Sequence, residues 1–164
     1  MVFGMTLQTY SIVHVVISLV AIASGFVAMF GMFAGKRLNG WTGLFLTTTV
    51  ATSVTGFGFP FAGVTPGIKL GIISLVLLAI AILARYAMHL AGAWRWIYVV
   101  SALMALYLNV LVGVVQSFEK APALKALAPT QTEALFLIAQ IALLVIFIVF
   151  TVFAVKKFRP GASA

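Results

Sequence analysis

Apolar stretches long enough to cross a lipid bilayer recur along almost the whole of this chain. The hydrocarbon core of a bilayer is about 30 Å thick, and an α-helix needs about 20 apolar residues to cross it. Hydrophobic residues make up 64% of the 164 positions and charged residues 7%, whereas a soluble domain typically carries about 25% charged residues. So much apolar surface cannot be buried inside one small globule. The sequence therefore predicts an integral membrane protein.

Glycine, proline and short cationic connectors divide the chain into five predicted spans. Thr65-Pro66 is typical of an N-cap followed by proline at the first helical position, and residues 130–133 (Thr-Gln-Thr-Glu) fit a capping box. Pro122 and Pro129 bracket one short helix on the surface. The predicted fold is an all-α, polytopic transmembrane helical bundle in a single domain, residues 1–164. Its spans cover about residues 10–34, 41–59, 66–91, 94–117 and 132–155.

The second predicted span is rich in threonine. Threonine hydroxyls can bond back to the preceding helical turn, so they are tolerated in lipid. An alternative is a re-entrant loop, because residues 52–58 (TSVTGFG) are similar to a potassium-filter strand, whose carbonyls replace ion hydration. The order is Val-Thr-Gly-Phe-Gly rather than Thr-Val-Gly-Phe-Gly, and a loop would remove the charge bias described next. A full crossing is therefore the preferred interpretation.

Five spans place the two termini on opposite sides of the membrane. Seven of the ten cations then lie on one side and three on the other, and the richer side is expected to be cytoplasmic. This predicts an N-terminus outside and a C-terminus inside. The seven are Lys36, Arg37, Arg85, Arg95, Lys156, Lys157 and Arg159, and the three are Lys69, Lys120 and Lys125.

Charge and composition argue against several classes of function. The net charge of +8 comes from cations spread over short connectors, which form no continuous basic stripe for nucleic acid. The absence of cysteine excludes disulfides, thiolate metal sites and thiol nucleophiles. The two acids, Glu119 and Glu133, both lie near the predicted outer surface. No pair of carboxylates is therefore available inside the membrane for acid–base catalysis or metal binding, and we do not predict an enzyme.

Hydrogen-bonding side chains occur in every span at about the same predicted depth, in the outer half of the bilayer. Asn109, Gly113 and Gln116 share one face of the fourth span, because they lie at i, i+4 and i+7. The inner halves are mostly aliphatic or aromatic. This asymmetry predicts an outward-facing polar site for a small or lipophilic ligand, with His14 as its ionisable group. The candidate binding residues are His14, Ser18, Thr52, Thr55, Asn109, Gln116 and Gln140.

Two other interpretations of these polar groups remain open. They could only hold the bundle together, for example through a neutral His14 bonded to Asn109 or Gln116, in a structural or accessory subunit. The chain could instead carry haem or a quinone, although His14 and His89 are predicted on opposite sides, too far apart for one iron. A cofactor is thus undetermined. In all cases the bilayer is the main partner, and a homo-oligomer or a subunit of a membrane complex is expected.

Residues 94–136 resemble a group of small uncharacterised bacterial inner-membrane proteins, a family with a domain of unknown function. The resemblance lies in Trp-Arg-x-Ile-Tyr, Leu-Asn-Val and Lys-x-Pro-x-Leu-x-x-Leu-Ala-Pro-Thr-Gln. The first half, with His14 followed by a Gly-Lys connector, is more distantly similar to a wider family of bacterial membrane domains. Those domains often have a His-Arg pair after that connector, and residues 36–39 contain no histidine. The resemblance implies a multi-pass protein of the bacterial inner membrane and carries no activity.

Overall fold

Six α-helices and one π-helical turn make up nearly all of the structure, a computed structural model that describes residues 2, 4–60 and 63–161. This part of the chain contains no β-sheet, which confirms the all-α prediction. The helices are α1 (Leu7–Phe33), α2 (Asn39–Gly56), α3 (Pro66–Ile82, continued by the π turn Leu83–Ala87), α4 (Trp94–Lys120), α5 (Pro122–Leu127) and α6 (Ala134–Lys157).

Four of these helices are long and apolar enough to cross a membrane. They are α1, α3 with its π turn, α4 and α6. The 18 residues of α2 include six hydroxyl-bearing threonines, and this helix is not among the four. The prediction of a helical bundle is confirmed, with several helices long and apolar enough to span a membrane.

The cap and proline signals are confirmed for α3 and α5, whereas α1, α2 and α6 begin two or three residues from the predicted positions. Thr65 caps α3 by accepting from the Ile68 N–H at 3.3 Å, and α5 is the short helix expected between the two prolines. The α6 helix begins at Ala134 instead of residue 132. The reason is that the Glu133 carboxylate accepts the N–H groups of Thr130 and Thr132, both at 3.0 Å, which holds these residues in a turn before the helix.

Helix α4 lies at the centre of the bundle and contacts α1, α2, α3 and α6. In an apolar stretch of 18 residues within α4, 44% of the residues are buried, compared with 6% in the corresponding stretch of α6. Tyr98, Val99, Ala102 and Leu106 of α4 are fully buried in the main apolar cluster. The other long helices therefore each pack one face on α4 and leave another, largely apolar face exposed.

Close approach of α1, α2 and α4 depends on Gly25. A Cβ atom at this position would lie 2.5 Å from Leu106 Cδ1 of α4 and 2.9 Å from Phe45 Cδ2 of α2. Both neighbours are fully buried and have little room to move. A single glycine thus brings three helices together in the middle of the bundle.

Neighbouring helices run antiparallel, which gives the bundle two distinct ends. The end of α2 meets the start of α1, where Gly56 lies against His14, and the start of α3 meets Phe57. We call this the His14 end. At the opposite end, Gly43 of α2 lies near Tyr86, and we call this the Arg85 end.

The two ends differ strongly in charge. The Arg85 guanidinium donates to the Arg37 carbonyl, and Arg95 donates to the Val155 and Phe158 carbonyls. The seven cations predicted on one side therefore all belong to the Arg85 end. Lys69, Lys120 and Lys125 belong to the His14 end together with both glutamates.

Candidate functional site

His14 makes a direct hydrogen bond to Thr55, another residue of the predicted set. The His14 Nδ1 and Thr55 Oγ1 atoms are 2.8 Å apart. The single hydroxyl proton of Thr55 is directed to the Ala51 carbonyl at 2.7 Å. The Thr55 oxygen therefore accepts from Nδ1–H. This contact joins α1 to α2. His14 Nδ1 is therefore bonded to Thr55 and not to Asn109 or Gln116, which were the partners expected in the structural interpretation.

Tyr10 and Phe59 complete the surroundings of His14. The Tyr10 hydroxyl donates to the Thr55 carbonyl at 2.6 Å, and Tyr10 is buried. The Phe59 ring packs edge-on against both Tyr10 and His14, with centroid distances of 5.1 and 5.2 Å. Tyr10 was not among the predicted site residues, although it precedes His14 by four positions and so shares its helix face.

Ser18 and Thr52 lie one turn deeper than His14 and Thr55. The Ser18 hydroxyl donates to the His14 carbonyl at 2.8 Å, so its proton is used within α1. Thr52 is buried, and its Oγ1 atom has no hydrogen-bond partner among the residues that the structure describes. Thr52 thus carries an unpaired hydroxyl one helical turn further into the bundle than the His14–Thr55 pair.

Asn109 lies on the face of α4 that is turned towards α1. Leu106 and Gly113 on either side of it approach Gly25 and Ile22 of α1. The Asn109 Nδ2 atom is buried and unpaired within the described part of the chain. Gln116 continues this face and is half-buried. The shared face predicted for the fourth span therefore does look into the protein.

Gln140 lies where α6 packs on α4. It shares a face of α6 with Phe136 and Phe147, whose rings contact Phe118 and Tyr107 of α4 at 5.3 and 5.6 Å. Both polar atoms of the Gln140 amide, Oε1 and Nε2, are buried without a partner in the described ranges. The two ring pairs place Gln140 level with residue 114 of α4, about 8 Å along the axis from Asn109 at 1.5 Å per residue.

The predicted residues thus form two groups instead of one preformed cavity. His14, Ser18, Thr52 and Thr55 lie along the α1–α2 contact, whereas Asn109, Gln116 and Gln140 lie on α4 and α6. One cleft of about 150 Å³ lies between α4 and α6, and one of about 380 Å³ between α2 and α3. None of the seven residues lines either cleft.

The structure also bears on the alternatives to ligand binding. Residues 52–56 are α-helical and do not form an extended filter strand. The Thr55 carbonyl accepts from the Tyr10 hydroxyl and the Gly58 N–H. His14 and His89 lie at opposite ends of the bundle. Over residues 2, 4–60 and 63–161, no group of three or more His, Asp or Glu side chains could hold a metal ion.

Comparison with known proteins adds no further constraint. No protein-family model matches the chain, and neither a curated protein nor a solved structure matches it.

One polar centre was missed by the sequence analysis. Arg85 was expected only as a cation near the membrane surface, yet it is buried, and it packs over the ring of Tyr98. The available signal was its spacing, since Arg85 follows the buried residues Ser74, Leu78 and Ala81 on one face of α3.

Proposed function

We propose that this chain is a multi-pass protein of the bacterial inner membrane that binds a small or lipophilic ligand through polar groups towards its His14 end. The observation that carries the proposal is the amide of Gln140, whose two polar atoms are both buried and unpaired within the described residues. In hydrocarbon no water is present to satisfy such groups, and each one left unpaired costs several kcal/mol. A ligand with its own donors and acceptors would remove this cost.

Two further unpaired groups lie in the same half of the bundle as Gln140, namely Asn109 on α4 and Thr52 in the separate group along the α1–α2 contact. Asn109 Nδ2 is a donor and Thr52 Oγ1 carries lone pairs, and each is buried without a partner in the described chain. Together with Gln140 they offer both donors and acceptors. The ligand is therefore expected to contain carbonyl or hydroxyl groups as well as an apolar part. Transport of this ligand across the membrane would use the same groups.

The proposal includes five crossings, with the N-terminus outside. Helix α2 is about 27 Å long at 1.5 Å per residue, and it runs beside α1 from Gly31, which faces Leu38, to His14, which faces Thr55. A helix of this length beside a membrane-spanning neighbour supports a crossing. The concentration of cations at the Arg85 end supports a cytoplasmic location of that end.

A structural or accessory subunit is the second candidate. The specific observation in its favour is the His14–Thr55 bond, which links two helices and needs no ligand. In this case the unpaired amides would be satisfied by a second chain, either another copy or a different membrane subunit.

The substitution Gln140→Leu separates these functions. Leucine has a similar volume and no polar atoms, so removing an unpaired buried amide should leave the bundle as stable or more stable. The wild-type protein, purified in mild detergent, should release a co-purifying small molecule that mass spectrometry of the extract detects, and the variant should lack it. The same extract would reveal a quinone, and an absorption spectrum before and after dithionite would reveal haem.

Gln8→Leu is the matched control, because it makes the same chemical change at an exposed position of α1. It should retain the molecule. An extract free of any such molecule, together with a Gln140→Leu variant that is less stable than wild type, would contradict ligand binding and favour the structural role.

A further inference from the structure

Arg85 is buried at the Arg85 end, and both of its hydrogen bonds to Arg37 and Asn39 come from the NH2 group. Its side chain is 7% exposed. The NH2 group donates to the Arg37 carbonyl at 2.9 Å and to Asn39 Oδ1 at 2.7 Å. The NH1 group is buried and has no partner among the described residues. Arg85 thus holds the α1–α2 connector with one group and keeps the other free.

A second unpaired donor lies beside this guanidinium. Tyr98 of α4 is fully buried, and its hydroxyl has no hydrogen-bond partner in the part of the chain that the structure describes. The Arg85 Cζ atom lies 5.2 Å from the centre of the Tyr98 ring. The nearby Thr42 hydroxyl is already directed to the Arg37 carbonyl at 3.1 Å. The Tyr98 hydroxyl lies close to both Thr42 and Arg85, so one cationic and one neutral donor lie together in one buried place.

No acidic side chain lies near Arg85 in the part of the chain that the structure describes. The only acids of the chain, Glu119 and Glu133, belong to the His14 end, and the Arg85 end has six further cations. A buried charge without a counter-ion is strongly unfavourable. An anion from outside the chain would supply both the missing charge and the missing acceptors.

We propose that Arg85 NH1 and the Tyr98 hydroxyl form a binding site for a phosphate-bearing anion at the Arg85 end. Arginine is well suited to phosphate oxygens because its planar guanidinium donates several parallel hydrogen bonds. The anion is either the headgroup of an anionic phospholipid or free inorganic phosphate. This site is separate from the groups proposed above to bind the ligand.

One cleft includes Tyr86, the sequence neighbour of Arg85, but neither Arg85 nor Tyr98 lines it. This cleft, of about 380 Å³, lies between α2 and α3 and is lined by Gly43, Leu46, Thr47, Val50, Ile82 and Tyr86. Tyr86 directly follows Arg85 and is exposed. The π turn that contains both residues is a feature that often marks functional positions in helices. The apolar lining would also accommodate an acyl chain attached to the phosphate.

Tyr98→Phe is the sharpest test, because it removes one unpaired hydroxyl and leaves every observed hydrogen bond of Arg85 in place. Binding is measured on the intact protein in mild detergent with two probes. Native mass spectrometry follows phosphatidylglycerol against phosphatidylcholine, and thermal unfolding follows inorganic phosphate against chloride at equal ionic strength. We expect Tyr98→Phe to bind about tenfold more weakly than wild type, as for loss of a hydrogen bond to a charged group.

Arg85→Gln should weaken binding at least as much, and Lys36→Gln is the control for charge alone, since Lys36 is exposed at the same end. Preference for phosphatidylglycerol identifies a lipid headgroup, and stabilisation by inorganic phosphate identifies a free anion. The proposal is overturned if neither probe binds, if Tyr98→Phe binds as tightly as wild type, or if Lys36→Gln loses as much affinity as Tyr98→Phe.

Discussion

Thr55 contributes more interhelical hydrogen bonding than any other residue of the predicted set. Its hydroxyl accepts from His14 and its carbonyl accepts from Tyr10, so two residues of α1 are bound to one residue of α2. The same hydroxyl donates to Ala51 within its own helix. A side chain that only back-bonded along its helix would leave His14 without a partner.

Thr55→Val is therefore expected to destabilise the bundle by about 1–2 kcal/mol, the sum of a lost interhelical bond and an unpaired His14 nitrogen. Thr48→Val is the matched control, because the Thr48 hydroxyl bonds only to the Leu44 and Phe45 carbonyls of its own helix. Unfolding in detergent measures both variants. Equal stability of the two variants would show that the His14–Thr55 bond contributes nothing.

Glu133 lies in the turn before α6, and its hydrogen bonds in that turn affect the pKa of its carboxyl group. The Thr130 hydroxyl, which donates to the carboxylate at 2.7 Å, and the backbone N–H groups beside it hold the pKa of Glu133 below its usual value. Because the folded-state pKa is lowered, the stabilisation of this turn is present at neutral pH. It is lost as the pH falls through the lowered pKa.

Thr130→Val removes the largest cause of this shift and should raise the pKa of Glu133 towards the ordinary carboxyl value. Carbon NMR of protein labelled at glutamate follows the titration directly, since the chain has only two glutamates. Glu119 serves as the internal reference. An unchanged Glu133 titration in the variant would contradict the role of the Thr130 hydroxyl.

At the scale of the helices, local sequence signals located most elements well. Thr65-Pro66 and the two prolines around α5 determined their helix boundaries through backbone chemistry that needs no tertiary contact. The start of α6 was misplaced because a capping box and a turn closed by Glu133 use the same residues. For α2, hydropathy is a weak guide to membrane crossing, because the hydroxyls of Thr48, Thr49 and Thr55 bond to carbonyls of the preceding helical turn.

The crossing of the membrane by α2 can be tested by cysteine labelling. Ala34→Cys precedes α2 and Val64→Cys follows it, both positions are exposed, and the chain has no other cysteine. We expect a membrane-impermeant maleimide to label residue 64 in intact spheroplasts and residue 34 only after permeabilisation. Labelling of both from one side would show that α2 does not cross.

For the whole molecule, the sequence predicted the separation of polar and charged groups but not their contacts. His14 and Thr55 were both candidates, yet their direct bond depends on the register of α1 against α2, which Gly25 and its neighbours establish. Arg85 was missed as a site because topology rules treat every terminal cation as a surface group. Its burial results from packing against Tyr98, a residue 13 positions away in the sequence.

A crystal structure grown in lipidic mesophase, from protein purified with its native lipids, would test the central claim most directly. The account predicts non-protein density within hydrogen-bonding distance of the Gln140 amide. Density at Asn109 or Thr52 would define the extent of the ligand. A Gln140 amide bonded only to protein groups, in this chain or in a neighbouring copy, would contradict ligand binding and leave the bundle with a structural role.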